Sequence, residues 1–406
     1  MSQDMDPFTE VDTDIQAKQD TGALREREGT EKTIEETPPE NQEVLVKCIS
    51  QNLGYDGGKP VAAYVIYKCL IHWRSFEDKS TNIFNRIVQV LASATEVPDN
   101  NNEVLAYWLS NLATLFLLLR RMSASASATT TPVTSRAFKQ KLVAFIEGIY
   151  GMITDNLKKE ILPLLELCIK WITQNPGTIA ENTQPLVAHW LSIVEILNSY
   201  LNLMKANNVP PFLVSKIFTQ VFSFINPELF TRHVHFFLLR RECCSLSNGE
   251  YVEAGLAELK KWCVEATDEY AGLAWDELKH TRQAVGFLVI REKPKMTLEE
   301  VTRELCPMLS ILHLYRISTM YWDGKYGTRS VSSDLVTNMR AMIPEDWERN
   351  PITSPFLLDN DSSIPFTVED MSKSMEQVDV NYSEPPPHLI NDDFDQLLYS
   401  LGQKVA

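Results

Sequence analysis

The chain has 406 residues, 44% of them hydrophobic, and a formal net charge of −16. Residues 1–43 carry −9 and residues 345–406 carry −10, so the stretch between them is close to neutral at +3. A nucleic-acid-binding body would need a concentrated basic face, so that class is excluded as the leading reading. The seven cysteines are odd in number and scattered through apolar patterns, which predicts reduced thiols and no disulfide framework.

Residues 1–40 are rich in Asp and Glu with almost no large apolar side chains, so they read as a disordered acidic leader. No basic segment followed by an apolar core opens the chain, so no signal peptide is expected. Val44, Leu45, Cys48 and Ile49 predict a short helix ended by Gly54, Gly57, Gly58 and Pro60. Gly57-Gly58-Lys59-Pro60 lacks the upstream Gly and the following Ser or Thr of a phosphate loop, and reads as a turn. Val61–Trp73 is apolar nearly all round and predicts a buried helix. Ile83, Phe84, Ile87, Val88 and Leu91 form the stripe of the next helix, which Pro98 ends. Asn100, with Glu103 three residues on, predicts the cap of another. The apolar run Val104–Leu119 contains Ser110, Asn111 and Thr114 and is short for a membrane span, so a buried helix is expected.

Residues 122–135, rich in Ser, Ala and Thr, predict a flexible surface loop. Phe138, Leu142, Phe145, Ile146 and Ile149 resume helical spacing, which runs on to Trp171 with Pro163 marking a boundary or kink. Asn175-Pro176-Gly177 is a turn. Trp190, Ile193, Leu197, Tyr200 and Leu201 give the apolar side of a long helix over 186–204. Pro210-Pro211 starts the next, with Phe212, Ile217, Val221, Phe222 and Ile225.

The stretch 237–289 predicts a helical hairpin. Leu256, Leu259, Trp262 and Cys263 share one helix face, and Ala274, Leu278, Ala284, Val285 and Leu288 continue the pattern. Ser247 or Asn248 is expected to cap the first helix. A Thr297–Glu300 capping box opens further helices that end near Met342. After Pro344 the chain turns acidic and proline-rich, with Pro385-Pro386-Pro387 and one expected helix over Thr367–Val378. Phe356, Leu357, Leu358, Ile364 and Phe366 are spaced too irregularly for a helix and predict an extended strap on the folded body. No segment shows sustained strand alternation, and no fixed 34–47-residue repeat is present, so the fold class is all-α.

The motifs NQEVLVKCISQNLGYDGGKPVAAYVIYKCLIHWRSFE (41–77), LAYWLSNLATLFLLLRR (105–121), FIEGIYGMITDNLKKEILPLL (145–165), the 237–289 stretch, LCPMLSILHLYRISTMYWDGKYGT (305–328) and SSIPFTVEDMSKSMEQVDV (362–380) occur in one order. Together they resemble the globular tail, or dilute domain, of class V and class XI unconventional myosins, with plant class XI heavy chains most alike. The Ser/Ala/Thr loop is shorter than in that pattern, and the run 226–237 is longer.

The resemblance implies an elongated all-α fold of two helical-bundle subdomains, with a C-terminal segment crossing back onto the first. The expected division is an acidic leader at 1–40, subdomain I at 41–182, subdomain II at 183–343, and an acidic strap and tail at 344–406. It implies a non-catalytic cargo-binding module, cytoplasmic and vesicle- or organelle-associated. Its implied partners are vesicle and organelle adaptors, Rab-type GTPases and, in autoinhibition, a myosin motor domain. Actin would be reached only through a motor, any membrane contact would be indirect, and no nucleic acid, cofactor or metal is expected. No motor, lever or coiled coil lies in this stretch, so it reads as a tail fragment or a short tail-only protein. Such a protein could also regulate by competing for cargo; a helical enzyme whose site forms only in three dimensions is the rival from another class.

Tyr251, Arg282, Gln283, Arg291 and Lys293 are the expected partner-binding residues, because they are polar or aromatic groups on or just beyond the hairpin. Arg240-Arg241 is expected to meet an acidic partner or the chain's own acidic tail. His233 and His235 followed by Cys243-Cys244 have metal-ligand residue types, but adjacent cysteines do not suit one tetrahedral site and buried thiols are expected instead. His72 and His189 read as core or boundary residues, and Glu265, Asp268 and Glu269 as a solvated helix face.

Overall fold

The computed structural model describes residues 39–50, 52–76, 82–96, 101–125, 133–169, 187–230, 241, 243–323, 326–344 and 363–375. Residues 37–406 form one compact unit. The acidic leader, the tip of the Ser/Ala/Thr loop, the 175–177 turn, the expected boundary at 182, His233, His235, Arg240 and Phe356–Leu358 lie outside the described residues.

The described elements are almost wholly helical, as expected. They begin with α1 (Pro39–Ser50), a two-residue hairpin of β1 (Tyr55–Asp56) and β2 (Lys59–Pro60), and α2 (Val61–His72). Gly57 and Gly58 take φ of 53° and 79°, the left-handed pair that a two-residue hairpin turn needs, so the Gly-Gly-Lys-Pro stretch is a turn. Then come α3 (Asn82–Thr95), α4 (Asn102–Ser125), α5 (Val133–Ile169), α6 (Ala188–Ala206) and α7 (Pro211–Phe230). The expected cap of α4 shifts by one residue: Asn101 Oδ1 accepts from Val104 N at 3.3 Å. Pro163 is not a boundary, for α5 runs through it, with Ile161, Leu165 and Cys168 buried on either side. Packing of that apolar face outweighs the backbone bond that proline removes.

The second half holds α8 (Leu246–Ala271), α9 (Ala274–Glu277), α10 (Lys279–Val289), α11 (Ile311–Met320), α12 (Ser333–Ala341) and α13 (Val368–Ser374). The expected core faces of α6 and of the α8–α10 hairpin are all buried. Ser245, rather than Ser247 or Asn248, caps α8, its Oγ accepting from Asn248 N at 3.2 Å. Thr297 and Glu300 form their capping box, but it opens a π-helical turn over Glu300–Leu305. Thr267 breaks α8 one turn before its end, with φ 66° and ψ 162°, and so re-aims Glu269 and Tyr270.

The long helix α5 packs against α3, α4, α6, α7 and α8. Polar bonds fix these packings. Asn156, Asn102, Tyr200 and Glu160, in that order, form a chain across α4, α5 and α6, with links of 2.8, 2.9 and 2.6 Å. Tyr150 Oη donates to Gln220 Oε1 at 2.9 Å, and Gln220 Nε2 donates to Ser363 O at 2.9 Å, which seats the C-terminal segment. Phe366 packs edge-on against Tyr150 and Phe212, at 5.1 and 6.0 Å between ring centroids. Arg120 at the end of α4 bonds Ser372 Oγ at 2.9 Å and pairs with Glu369, and Arg121 donates to Met375 O at 2.9 Å. The C-terminal segment therefore crosses back onto the first half of the fold.

Helix α4 is long and apolar enough to span a membrane by composition, yet 83% of its most apolar window is buried inside the fold. Its polar residues explain why. Asn111 Oδ1 accepts from Ala63 N at 3.0 Å, a first-turn donor of α2, whose own N-cap is Pro60 and offers no side-chain bond. Ser110 Oγ donates to Asn208 O at 2.9 Å. Replacing Asn111 with Ala leaves the buried Ala63 N–H unpaired; we expect a loss of about 2 kcal/mol in denaturant titrations, with the m-value unchanged.

Candidate docking surface

The α8–α10 hairpin is set by two glycines. A Cβ at Gly255 would stand 2.2 Å from the Trp190 ring, and one at Gly249 would stand 2.9 Å from Leu288 Cβ. Gly255→Ala should therefore destabilise the fold by about 1–3 kcal/mol through overpacking against α6, and thermal melts of Gly255→Ala and Gly255→Ala/Trp190→Leu should show partial recovery in the double variant.

The structure divides the five expected partner-binding residues. Tyr251 is only 7% exposed, and its hydroxyl donates to Leu167 O in the last turn of α5 at 3.2 Å. Burial pushes its phenol up to about 12. Lys293 is fully buried; its Nζ donates to Leu288 O at 2.8 Å and to Ile290 O, closing the end of α10, and lies 4.1 Å from the Tyr321 ring centroid. Both residues are corrected from surface contacts to internal caps of helix C-termini, because buried terminal carbonyls need donors and these side chains supply them.

Arg282, Gln283 and Arg291 stay at the surface. Arg282 stacks over Trp275 at 4.3 Å and donates to Trp275 O at 3.3 Å. Gln283 Oε1 accepts from Met308 N at 2.8 Å, beside exposed Leu305 and Met308. Arg291 is 66% exposed, pairs with Glu250 at 3.3 Å and lies 5.7 Å from the Tyr326 ring. Arg241 is also exposed. Cys243 and Cys244 are buried, as are the other four described cysteines, and burial raises the Cys263 and Cys306 thiols to about 12.

Sequence reasoning missed the aromatic part of this surface. Trp322 and Tyr326 are both nearly half exposed, and the Asp323 carboxylate bonds the backbone near them. Asp323 accepts from Tyr326 N and Thr328 N at 3.0 Å each, and Gly327 takes φ 67°. Trp322 N donates to Cys244 O at 2.9 Å, which ties this segment to the start of α8. The signal was an Asp within an aromatic run, a residue type whose carboxylate readily bonds nearby backbone N–H groups. Among the described residues no group of three His, Cys, Asp or Glu is placed to hold a metal ion. The surface can offer shape, aromatic rings and guanidinium groups.

Residues 216–325 match the DIL domain family. Over 90% of its length the chain is similar to Myosin-17 of Arabidopsis thaliana, at 58% identity and 27% of that protein's length. It is 52% identical to Myosin-11 of the same plant, over 88% of this chain and 26% of the relative. The chain thus spans about a quarter of the length of these relatives. Its fold is similar to that of Myo2-GTD in complex with Mmr1, with TM-score 0.59 at 14% identity over 90% of this chain and 88% of that one. It is also similar to a myosin V cargo binding domain, with TM-score 0.58 at 15% identity over 90% and 89%.

Buried Lys293 gives the fold a pH signature. Burial lowers its amine from the ordinary 10.5 to about 8, with the Asp323 charge opposing the shift. Below pH 8 the ammonium is charged in both folded and unfolded chains, and its burial opposes folding. Between about 8 and 10.5 the unfolded chain holds the extra proton, so stability contributed at this position rises with pH. The melting temperature of the wild type minus that of Lys293→Met should therefore increase from about pH 7.5 to about pH 10.

Proposed function

We propose that this chain, which carries a myosin globular tail of the class V/XI type, is a non-catalytic cargo-binding module of an actin-based motor. It would present helix surfaces to vesicle and organelle adaptor proteins and to Rab-type GTPases at the cytoplasmic face of their membranes. The observation that carries this reading is the solvent-facing set around α10. Met308 bonds Gln283, with Leu305 exposed three residues before it, and the Tyr326 ring lies beside Arg291, with Trp322 exposed four residues before Tyr326. Aromatic and guanidinium groups with adjacent apolar side chains are the residue types that dominate protein–protein contacts. Likeness to the Myo2 structure with Mmr1 and to one in complex with Smy1 supports binding of adaptor proteins. The same tail would fold back on a motor domain when cargo is absent.

The test uses the full chain immobilised, with purified plant Rab-type GTPases in GTP-analogue and GDP forms and purified vesicle-adaptor proteins as analytes. Trp322→Ala/Arg291→Glu should weaken retention by about 30-fold, the loss of about 2 kcal/mol typical of a hot spot, with the melting temperature unchanged. Tyr251→Ala should instead lower the melting temperature, since its hydroxyl closes α5. Retention untouched by the surface pair would remove this face as the docking site.

A further inference from the structure

A second surface feature stands apart from α10. A groove of about 560 Å³ opens between the β-hairpin, the α6–α7 corner, the end of α8 and the end of α13. Its walls include Lys59, Lys205, Pro210, Phe212 and Tyr270, and Met375 forms part of its base. Lys205 Nζ lies 4.1 Å from the Tyr270 ring centroid, so a cation and an aromatic face stand together at one side. Two backbone breaks border the groove: Thr267 leaves helical geometry three residues before Tyr270, and Asn208, in the left-handed region at φ 47°, precedes Val209 and Pro210-Pro211.

We propose that this groove is the docking site for the chain's own Glu384-Pro385-Pro386-Pro387 segment. Three features select that occupant. First, grooves lined by aromatic rings receive polyproline II segments, which bring little conformational entropy to lose. Each proline fixes its own φ and holds the residue before it extended, so three in succession preset that shape. Second, the charges match. Residues 376–406 carry six acids and one base, with Glu384 directly before the prolines, and the groove lining carries Lys59 and Lys205 against one acid, Glu269, for a net positive charge. Third, the segment is tethered at the groove. Met375 lines it, and eight residues separate it from Glu384, a length whose span for a flexible chain would be about 16 Å, enough to return to the same groove. Such a tether gives a local concentration of the order of millimolar, which an untethered proline-rich ligand would have to match.

The experiment uses the full chain with a photoreactive benzoylphenylalanine at Tyr270, and a second version with it at Lys205, which is exposed at the end of α6 and tolerates the probe if position 270 does not. After irradiation the cross-linked peptides are mapped by mass spectrometry. Cross-links should join the probe to residues 381–390 of the same molecule, in equal yield from about 1 to about 50 µM protein. Substituting Pro385→Ser, Pro386→Ser and Pro387→Ser together should cut that yield by at least about five-fold without moving the melting temperature. A dimer band that grows with concentration would assign the groove to a second copy and overturn the proposal. So would cross-links elsewhere in the chain, no cross-link at either probe position, or a yield that ignores the three serines.

Discussion

A buried helix end must find partners for its unbonded peptide groups, and this fold meets that demand with side chains from distant parts of the chain. Asn111 of α4 serves the first turn of α2. Asn226 of α7 serves the first turn of α10, its Oδ1 accepting from Thr281 N at 3.1 Å and from Thr281 Oγ1 at 2.9 Å. Neither α2 nor α10 has a capping side chain of its own. At C-termini, Tyr251 serves α5, Lys293 serves α10 and Arg121 serves α13. Lys293 acts locally, five residues beyond Leu288, but each of the other bonds joins two elements far apart in sequence, so those helices hold their places only together. An unpaired buried donor or acceptor costs about 1–3 kcal/mol, so these bonds discriminate against misaligned packings more than they add net stability.

Helix α5 extends this logic through the whole described body. Its 37 residues span about 55 Å, long enough to meet partners from both halves of the chain. At one stretch Asn156 and Glu160 join the polar chain to α4 and α6, and at another Tyr150 reaches Gln220 and Phe366. The C-terminal segment then closes over the same helix, held by Arg120 and Arg121 of α4. Pro163 is tolerated because Ile161 and Leu165 on either side are anchored in the core.

What was legible in the sequence was apolar spacing. The faces of α3, α6, α8 and α10 follow from it directly, since an i, i+3, i+4 pattern reports one buried stripe. What was not legible depended on a partner far along the chain. Gly255 gives no local sign that the Trp190 ring lies against it. Tyr251 and Lys293 have the residue types of contact surfaces, and only the fold reveals that a helix end takes each one. Trp322 and Tyr326 were overlooked for the reverse reason: large aromatics suggest a core, and only the fold shows that they face solvent.

That reversal bears on where a binding surface can sit in an all-α body of this kind. The polar groups near the hairpin that bond helix ends are already committed, and a partner could take them only by opening the fold. Trp322 and Tyr326 stand apart from these groups: the Asp323 carboxylate accepts from Tyr326 N and Thr328 N, and both rings stay nearly half exposed. The Arg291–Glu250 pair beside them is exposed and so contributes little to stability, and its geometry can yield to a ligand at small cost. A docking surface of the kind proposed for this chain is therefore best sought on the rim of α10, where a partner can bind without breaking the bonds that close helix ends.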